Sequence, residues 1–239
     1  MDIKGFIPTT MLDWDGMLAS TVFLPRCNLR CPFCQNPELV LHPETLETVP
    51  MSEVRDFILD REGWIEGVCI TGGEPCMHAD LPELCSELKS LGVGVKLDTN
   101  ASFPDALDRL IRDGLVDYVA VDIKAPPEPA AYRVATGCDR SDLLNDVLRG
   151  VEVLRGSDVG REFRTTVVPM LHGPEEVARI AEFLAGEELF VLQHFSPKAT
   201  LDPRFSELRP FTEDDMAGML EEARRFIPGT VVRGAPAGL

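Results

Sequence analysis

Three cysteines lie within the short stretch CNLRCPFC, from Cys27 to Cys34. Their spacing, C-x3-C-x2-C, places three thiolates on one loop, where each can bind one iron of a [4Fe-4S] cluster. Zinc sites and ordinary iron–sulfur clusters take four protein ligands, so three cysteines either have a distant fourth partner or leave one metal position open. Because an open iron can bind a substrate, the spacing indicates either a reactive cluster or a four-cysteine electron carrier.

The other cysteines bear on this choice. Cys76 follows TGGEP and is the spare cysteine expected at the same end of the strands, so the carrier hypothesis needs it as a fourth ligand. Cys69 lies in an apolar run, and Cys85 and Cys138 lie on a predicted helix and a predicted loop. Buried free cysteines are commonly small hydrophobic residues, and an odd total of seven favours reduced thiols over disulfides. We expect metal binding by Cys27, Cys31 and Cys34.

Motifs along nearly the whole chain resemble those of the radical S-adenosylmethionine (radical SAM) superfamily. The cysteine spacing is accompanied by an aromatic residue, Phe33, before the last cysteine. Within the superfamily the chain looks most like the glycyl-radical-enzyme activases, especially the activating protein of anaerobic ribonucleoside-triphosphate reductase. The stretches that carry this likeness are IKGFIPTTMLDWDG, FLPRCNLRCPFCQNPELV, TGGEP, LDTN, DIKAP and QHFSP.

The resemblance implies an oxidoreductase that binds a [4Fe-4S] cluster and SAM. Such an activase cleaves SAM reductively at the cluster to a 5′-deoxyadenosyl radical and generates a glycyl radical on a partner enzyme. The implied partners are a glycyl-radical enzyme, with anaerobic ribonucleoside-triphosphate reductase as first candidate, and a flavodoxin-like or ferredoxin-like electron donor. One alternative is a radical SAM enzyme that acts on a small molecule or another modification target. The four-cysteine electron carrier is the weaker alternative.

The resemblance also implies the site residues. The three cysteines would bind the cluster and act catalytically through it. Relatives can hold a monovalent cation between carboxylates near the SAM carboxylate, where Asp98 and Asp122 are expected. The full set of expected SAM contacts is Phe33, Gln35, Gly72, Gly73, Glu74, Asp98, Thr99, Asp122, Lys124, Arg164, Thr166 and His194.

Some of these residues have a purely structural alternative. Asp122 and Lys124 could form a buried acid–lysine pair at a strand end, and Arg164 could bridge to a neighbouring strand. His194 could be a core histidine with satisfied ring nitrogens. The chain also departs from its relatives, which often carry Gly before the first cysteine, His after the third and Gly after DTN. The residues here are Arg26, Gln35 and Ala101.

These residues must be positioned by strands that alternate with helices. Short runs rich in Val and Ile alternate with segments of helical period, which predicts parallel βα units. Parallel neighbours need long crossovers, and right-handed crossovers curl the sheet toward a barrel, with the functional residues at the carboxyl ends of the strands. The six strand candidates are ASTVFLP from Ala19, GVCIT from Gly67, VGVKLD from Val93, DYVAVDI from Asp117, EFRTTVV from Glu162 and LFVLQHF from Leu189.

The predicted fold class is therefore α/β, a partial (β/α)6 TIM-like barrel of the radical SAM type with a short N-terminal extension. We expect a single domain over residues 1–239. Its expected parts are the extension at 1–18, the (β/α)6 core at 19–227 and a C-terminal tail at 228–239.

The charge and hydropathy of the chain limit its partners. A formal net charge of -17 disfavours direct binding to nucleic acid or to anionic lipid. No apolar run approaches the roughly 20 residues needed to span a bilayer. The first residues carry acids early and lack a compact apolar core, so no export signal is expected. The sequence predicts a cytoplasmic protein with no membrane partner.

Overall fold

The structure is a computed structural model, and it describes residues 1–234. Its strands are β1 (Gly5–Thr10), β2 (Ala19–Leu24), β3 (Gly67–Gly72), β4 (Gly94–Thr99), β5 (Tyr118–Asp122), β6 (Gly160–Val167), β7 (Phe190–His194) and β8 (Val231–Arg233). Its helices are α1 (Pro37–Leu41), α2 (Met51–Leu59), α3 (Leu81–Ser90), α4 (Pro104–Arg112), α5 (Pro129–Thr136), α6 (Leu143–Arg155), α7 (Pro174–Phe183), α8 (Pro203–Ser206) and α9 (Glu213–Arg224). The six predicted strands are β2 to β7, each beginning within two residues of its predicted start.

The chain forms two compact units. The first unit contains Met1–Asn28, Glu38–Ala120 and Arg149–Gly160. The second unit contains Leu29–Pro37, Val121–Leu148 and the chain from Arg161 onward. Strand β5 begins in the first unit and ends in the second. The single domain expected from the sequence stays a prediction.

The first unit is built on a mixed sheet in which β1 to β5 follow one another in chain order. Strand β1 is antiparallel to β2, whereas β2, β3 and β4 are parallel. The register pairs Thr21 with Cys69 and Cys69 with Lys96, so these side chains share one face of the sheet. Helix α3 packs through the apolar face typical of an amphipathic helix. The buried residues of that face are Leu81, Leu84, Cys85 and Leu88.

The expected N-terminal extension is part of the packed first unit. Besides β1, it supplies Trp14, whose ring lies over the first residues of β3 and β4. A Cβ atom on Gly67 would lie 2.7 Å from that ring, so a larger residue there would displace Trp14. Beside it, Lys96 is 1% exposed and its Nζ donates to the carbonyl oxygen of Asp13 at 2.6 Å. The buried ammonium is thereby hydrogen-bonded, as burial of a charge requires.

The second unit contains the strand order β5, β6, β7, β8. Strands β6, β7 and β8 are parallel, with Phe163 opposite Phe190 and Val191 opposite Val231. Strand β8 shows that the expected C-terminal tail extends this sheet through Arg233. Residues 235–239 of that tail lie outside the described residues. Within residues 1–234, no helix has the length and apolar character needed to cross a bilayer.

Candidate active site

The segment that carries Cys27 is hydrogen-bonded to the end of β3. The N–H of Gly73 donates to the carbonyl of Leu24 at 2.8 Å, and the N–H of Glu74 donates to the carbonyl of Arg26 at 2.8 Å. A Cβ atom on Gly73 would lie 1.6 Å from the Arg26 oxygen, and one on Gly72, which has φ +114, would lie 2.5 Å from the Leu24 oxygen. Both glycines therefore make room for the segment that leads to the first cysteine. Their contact with SAM stays a prediction.

Two departures from the relatives fall on strained backbone. Arg26 has φ 64 and Ala101 has φ 59, the left-handed region that costs an L-residue roughly 1–2 kcal/mol. These are the positions before the first cysteine and after DTN where relatives often carry Gly. The local conformation therefore explains why glycine suits both positions.

Glu74 is held by a neutral polar network at the ends of β3 and β4. It is 1% exposed, and its Oε1 accepts from the N–H of Cys76 at 3.0 Å and from the Thr99 hydroxyl at 2.7 Å. Its Oε2 accepts from the N–H of Asn100 at 2.7 Å. Burial raises the pKa of this carboxyl despite these hydrogen bonds. The structure brings Glu74 and Thr99 together as partners of each other, and their contact with SAM stays a prediction.

Cys27 lies beside a group of amides that the sequence did not single out. The Asn100 Nδ2 lies 3.9 Å from the Cys27 Sγ and donates to the Asn28 Oδ1 at 3.0 Å. Asn28 in turn donates to the Ser102 hydroxyl at 2.8 Å. An amide donor near a thiolate stabilises its negative charge. The signal available was that Asn100 ends the LDTN motif, directly after two expected site residues.

The second unit holds Cys31 and Cys34 on a tight turn. The N–H of Cys34 donates to the carbonyl of Cys31 at 3.0 Å. Between them Phe33 is buried, with 4% of its surface exposed. Gln35 follows, and its Nε2 donates to the carbonyl of Ser196 at 3.4 Å. In this structure Phe33 packs in the core and Gln35 makes a backbone contact, so a role for either in SAM binding stays a prediction.

Asp122, at the end of β5, lies between two cations. Its Oδ1 accepts from the Arg164 Nε at 2.9 Å and its Oδ2 from the Lys124 Nζ at 3.0 Å. Burial alone would raise the pKa of Asp122, but Arg164 and Lys124 outweigh it and hold that pKa well below its usual range. The acid–lysine pair and the arginine bridge between strands are therefore both present. The Asp122 charge is already compensated by side chains, which disfavours a monovalent cation there.

Lys124 also lies in the electrostatic field of Cys31. Burial alone would lower the pKa of the Lys124 ammonium. Asp122, and after it Cys31, raise this pKa by more than burial lowers it, so Lys124 stays charged. Its backbone carbonyl lies 3.0 Å from the His172 Nε2, while the His172 Nδ1 accepts from the N–H of Val168 at 3.0 Å. Nε2 must therefore carry the proton, and burial lowers the pKa of this histidine to about 4. His172, to which the sequence assigned no role, is a neutral clamp on the backbone of Lys124.

The ionic network continues through two further residues that the sequence did not predict. Glu162 is 2% exposed and takes a two-pronged contact from Arg233 of β8, at 3.2 and 2.9 Å. The Arg164 Nη1 lies 3.9 Å from the same carboxylate. Glu162, Arg164 and Thr166 alternate along β6, so they share one face, and this alternation was the available signal. Thr166 lies opposite Gln193 of β7.

His194 is an expected SAM contact with open hydrogen-bonding capacity. Its side chain is 2% exposed, and within the described residues neither ring nitrogen makes a hydrogen bond. The Glu213 carboxylate is 3.9 Å from Nε2, beyond hydrogen-bond range. Buried polar groups are almost always satisfied, so these nitrogens fit a ligand rather than the core histidine alternative. Asp98 lies on β4 with Lys96, on the same face of the strand.

The cysteines differ in how well they suit a cluster. Cys76 and Cys85 are buried, and burial raises the pKa of Cys85 to about 12 and that of Cys76 well above its usual value, with Glu74 adding to the effect. The Cys76 Sγ also accepts a hydrogen bond from the Thr99 hydroxyl at 3.6 Å, within the network of Glu74. Within residues 1–234, no three His, Cys, Asp or Glu side chains converge on a position for one metal ion. A cubane takes each thiolate on a different iron, and binding of a cluster by Cys27, Cys31 and Cys34 stays a prediction.

Comparisons with known proteins show the family of this chain. The family described as "Radical SAM superfamily" matches residues 21–184. A Methanocaldococcus jannaschii protein named "Putative glycyl-radical enzyme activating enzyme MJ1227" is 28% identical over 97% of this chain and 95% of its own length. A Halobacterium salinarum protein named 7-carboxy-7-deazaguanine synthase is 26% identical over 82% of this chain and 79% of its own length.

A solved structure shares the fold. The crystal structure of Streptococcus suis SuiB bound to S-adenosylmethionine superposes with a TM-score of 0.65 at 16% identity. The match covers 90% of this chain and 52% of SuiB, so this chain corresponds to about half of that protein. At this identity the likeness shows the fold alone. It confirms the predicted fold class, an α/β fold with a parallel sheet of the radical SAM type.

Proposed function

This chain belongs to the radical SAM superfamily, and we propose that it is an activase that generates a glycyl radical on a partner enzyme. Enzymes of this superfamily use a [4Fe-4S] cluster and SAM, which when bound supply a 5′-deoxyadenosyl radical able to abstract a hydrogen atom. The protein substrate would be a glycyl-radical enzyme, with anaerobic ribonucleoside-triphosphate reductase as the first candidate.

The observation that carries this proposal is similarity along nearly the whole chain. The Methanocaldococcus jannaschii protein whose name gives it as an activating enzyme aligns over 97% of this chain and 95% of its own length. The alignment therefore spans nearly all of both sequences.

Different residues of this chain would bind the cluster, bind SAM and hold the binding side chains in place. Cys27, Cys31 and Cys34 would bind the cluster, and the Lys124 ammonium would offset the negative charge beside Cys31. Arg164 would hold Asp122 in place, and the unsatisfied nitrogens of His194 would bind SAM. The neutral network around Glu74 would fix the ends of β3 and β4 beside the segment that leads to Cys27.

The carrier alternative is disfavoured. It needs Cys76 as a fourth thiolate, but Cys76 is buried and accepts a hydrogen bond from the Thr99 hydroxyl at 3.6 Å. Membership of an enzyme superfamily also argues against a simple electron carrier.

Electron paramagnetic resonance (EPR) tests the activase proposal. The protein, reconstituted anaerobically, is mixed with SAM, dithionite and a glycyl-radical enzyme encoded beside it. We expect a doublet from a glycyl radical on the partner, which is lost when the partner's radical-bearing glycine is replaced by alanine. Release of 5′-deoxyadenosine without a doublet from any co-encoded candidate would contradict the activase proposal while leaving the radical SAM chemistry intact.

A second candidate is a radical SAM enzyme for a small molecule. The similarity to the Halobacterium salinarum 7-carboxy-7-deazaguanine synthase, over 82% of this chain, favours it. In that case SAM cleavage should be accelerated by a low-molecular-weight fraction of a cell extract and unaffected by glycyl-radical enzymes. The activase proposal expects the reverse.

A further inference from the structure

A groove lies beside the cysteine turn of the second unit. Its volume is about 470 Å³. Its wall includes Arg30 and Pro32, the residues on either side of Cys31. The other lining residues are Val134, Gly137, Met170, Leu171, Leu201, Asp202, Arg204 and Phe205.

The groove is fixed to the cysteine turn through the backbone. The N–H of Arg30 donates to the carbonyl of Thr136 at 2.8 Å, and the N–H of Asp202 donates to the carbonyl of Pro32 at 2.9 Å. A Cβ atom on Gly137 would lie 2.4 Å from the Arg30 oxygen, so the end of α5 packs directly on the turn. A molecule seated in the groove would therefore contact the residues adjacent to a cluster ligand.

The groove also exposes apolar side chains. Met170 is 81% exposed and has φ 75, and Val134 is 58% exposed. A methionine in the left-handed region costs stability without adding to the core. Methionine side chains adapt to varied partners and are common at binding surfaces. These features indicate a contact surface for a protein.

The charges around the groove select an acidic partner. The chain carries a net charge of -17, yet Arg30 lines the groove and Arg133 precedes Val134 on α5, while the charge of Arg204 is compensated by Asp202. Asp202 is the acid among the lining residues, and it is bound to Arg204 at 2.6 Å. A local basic surface on an acidic chain attracts an acidic protein to this place and disfavours its contact elsewhere.

We propose that this groove docks a small acidic electron-transfer protein that reduces the cluster. The inference rests on the proposed radical SAM function, in which the donor gives up one electron for each SAM cleaved to methionine and the 5′-deoxyadenosyl radical. The donor must approach the cluster ligands, and the groove borders Cys31. Two other occupants of the groove are less suited. A glycyl-radical enzyme must bring its glycine to SAM rather than to the cluster ligands. A second copy of this chain would bring a further net charge of -17.

The test measures binding of a flavodoxin to the reconstituted protein by isothermal titration calorimetry at about 50 and 500 mM salt. The variants are Met170→Glu and Met170→Gly in the groove, the latter suited to φ 75, and Arg133→Glu beside the groove on α5. The matched controls are Leu12→Glu, at an apolar residue 82% exposed in the first unit, and Arg109→Glu, at an arginine 66% exposed there. A ferredoxin is the second probe.

We expect Met170→Glu and Arg133→Glu to weaken donor binding about tenfold at low salt, with a smaller effect of Arg133→Glu at high salt. Met170→Gly should weaken it less, and both controls should stay within about twofold. Binding that is unchanged in the groove variants, or weakened equally in the controls, would overturn the docking proposal. So would a dimer of the wild-type protein that Met170→Glu dissociates, since the occupant would then be a second copy.

A parallel assay separates this inference from the proposed function. Release of 5′-deoxyadenosine is measured with dithionite and with the reduced donor protein. Groove variants that lose only the donor-driven release support the docking proposal. Equal release with both reductants in every variant contradicts it. No release from the wild type with dithionite would instead overturn the radical SAM function on which the inference rests.

Discussion

Two carboxylates near strand ends, one in each unit, are stabilised in opposite ways. Glu74 follows β3 and is held by two N–H groups and a hydroxyl, all neutral, so that burial raises its pKa. Asp122 ends β5 and is held by Arg164 and Lys124, which lower its pKa. Glu74 holds backbone N–H groups in place, whereas Asp122 holds two charged side chains in place. We infer that the neutral network is structural and that the ionic network determines the electrostatics of the site.

The largest expected contrast concerns the cysteines of the two networks. Cys31 lies in the field of Lys124, and Cys76 is bonded into the network of Glu74. Replacing Cys31 by alanine should abolish the cluster, while Cys76→Ala should retain about four irons per chain. Iron and sulfide analysis of the reconstituted variants measures this. Loss of the cluster in Cys76→Ala would show that the neutral network holds a ligand and would restore the carrier alternative.

The next largest effect is expected on stability when the Asp122 carboxylate is removed from the ionic network. Asp122→Asn leaves Arg164 and Lys124 without their counter-charge, and we expect the free energy of unfolding of the apoprotein to fall by about 2–3 kcal/mol. Urea unfolding measures this. Asp113→Asn is the control, since it removes an exposed partner of Arg109 and should cost less than about 0.5 kcal/mol.

The same variant has a functional consequence. In the reconstituted protein, Asp122→Asn should weaken SAM binding while the iron content stays unchanged. Unaltered SAM affinity would mean that the ionic network serves stability alone, and the contrast drawn between the two carboxylates would then fail.

A smaller effect is expected at the neutral carboxylate. Glu74→Gln keeps an oxygen for Cys76 and Thr99 but turns an amide N–H group toward the N–H of Asn100. One buried hydrogen bond is lost, and the free energy of unfolding should fall by about 1–2 kcal/mol. The loss should be the same at about 50 and about 500 mM salt, because the substitution breaks no ion pair. A strong dependence on salt would show that Glu74 interacts with charge.

The smallest effects, on pH dependence, have opposite signs. Glu74 has a native pKa above its ordinary 4.5, so the native state binds the extra proton and wild type gains stability over Glu74→Gln as pH falls toward that value. Asp122 has a native pKa below its ordinary 3.8, so its contribution is present above that value and is lost as pH falls below it. The difference in the free energy of unfolding between wild type and Asp122→Asn should therefore shrink as the pH falls. Urea unfolding between about pH 6 and 3 measures both trends, and trends of the same sign would contradict the contrast.

The sequence predicted the strands and the residues at their ends better than it predicted the networks. Hydrophobic runs located β2 to β7, cysteine spacing selected Cys27, and the family resemblance selected Glu74 and Asp122. The contacts of Glu162 with Arg233 could not be predicted, because they depend on β8 lying beside β7 in the second unit. The clamp by His172 depends on a turn after β6 that brings its ring to the carbonyl of Lys124. Local patterns specify elements, but pairs distant in sequence follow only from strand order and register.

The account depends most on an iron that the three cysteines leave open to SAM. The most direct measurement is EPR of the reconstituted, dithionite-reduced wild type with and without SAM. The account predicts that SAM alters the spectrum of the reduced cluster and is cleaved to 5′-deoxyadenosine, in wild type and in Cys76→Ala alike. A spectrum that SAM leaves unchanged, together with a cluster that requires Cys76, would contradict it.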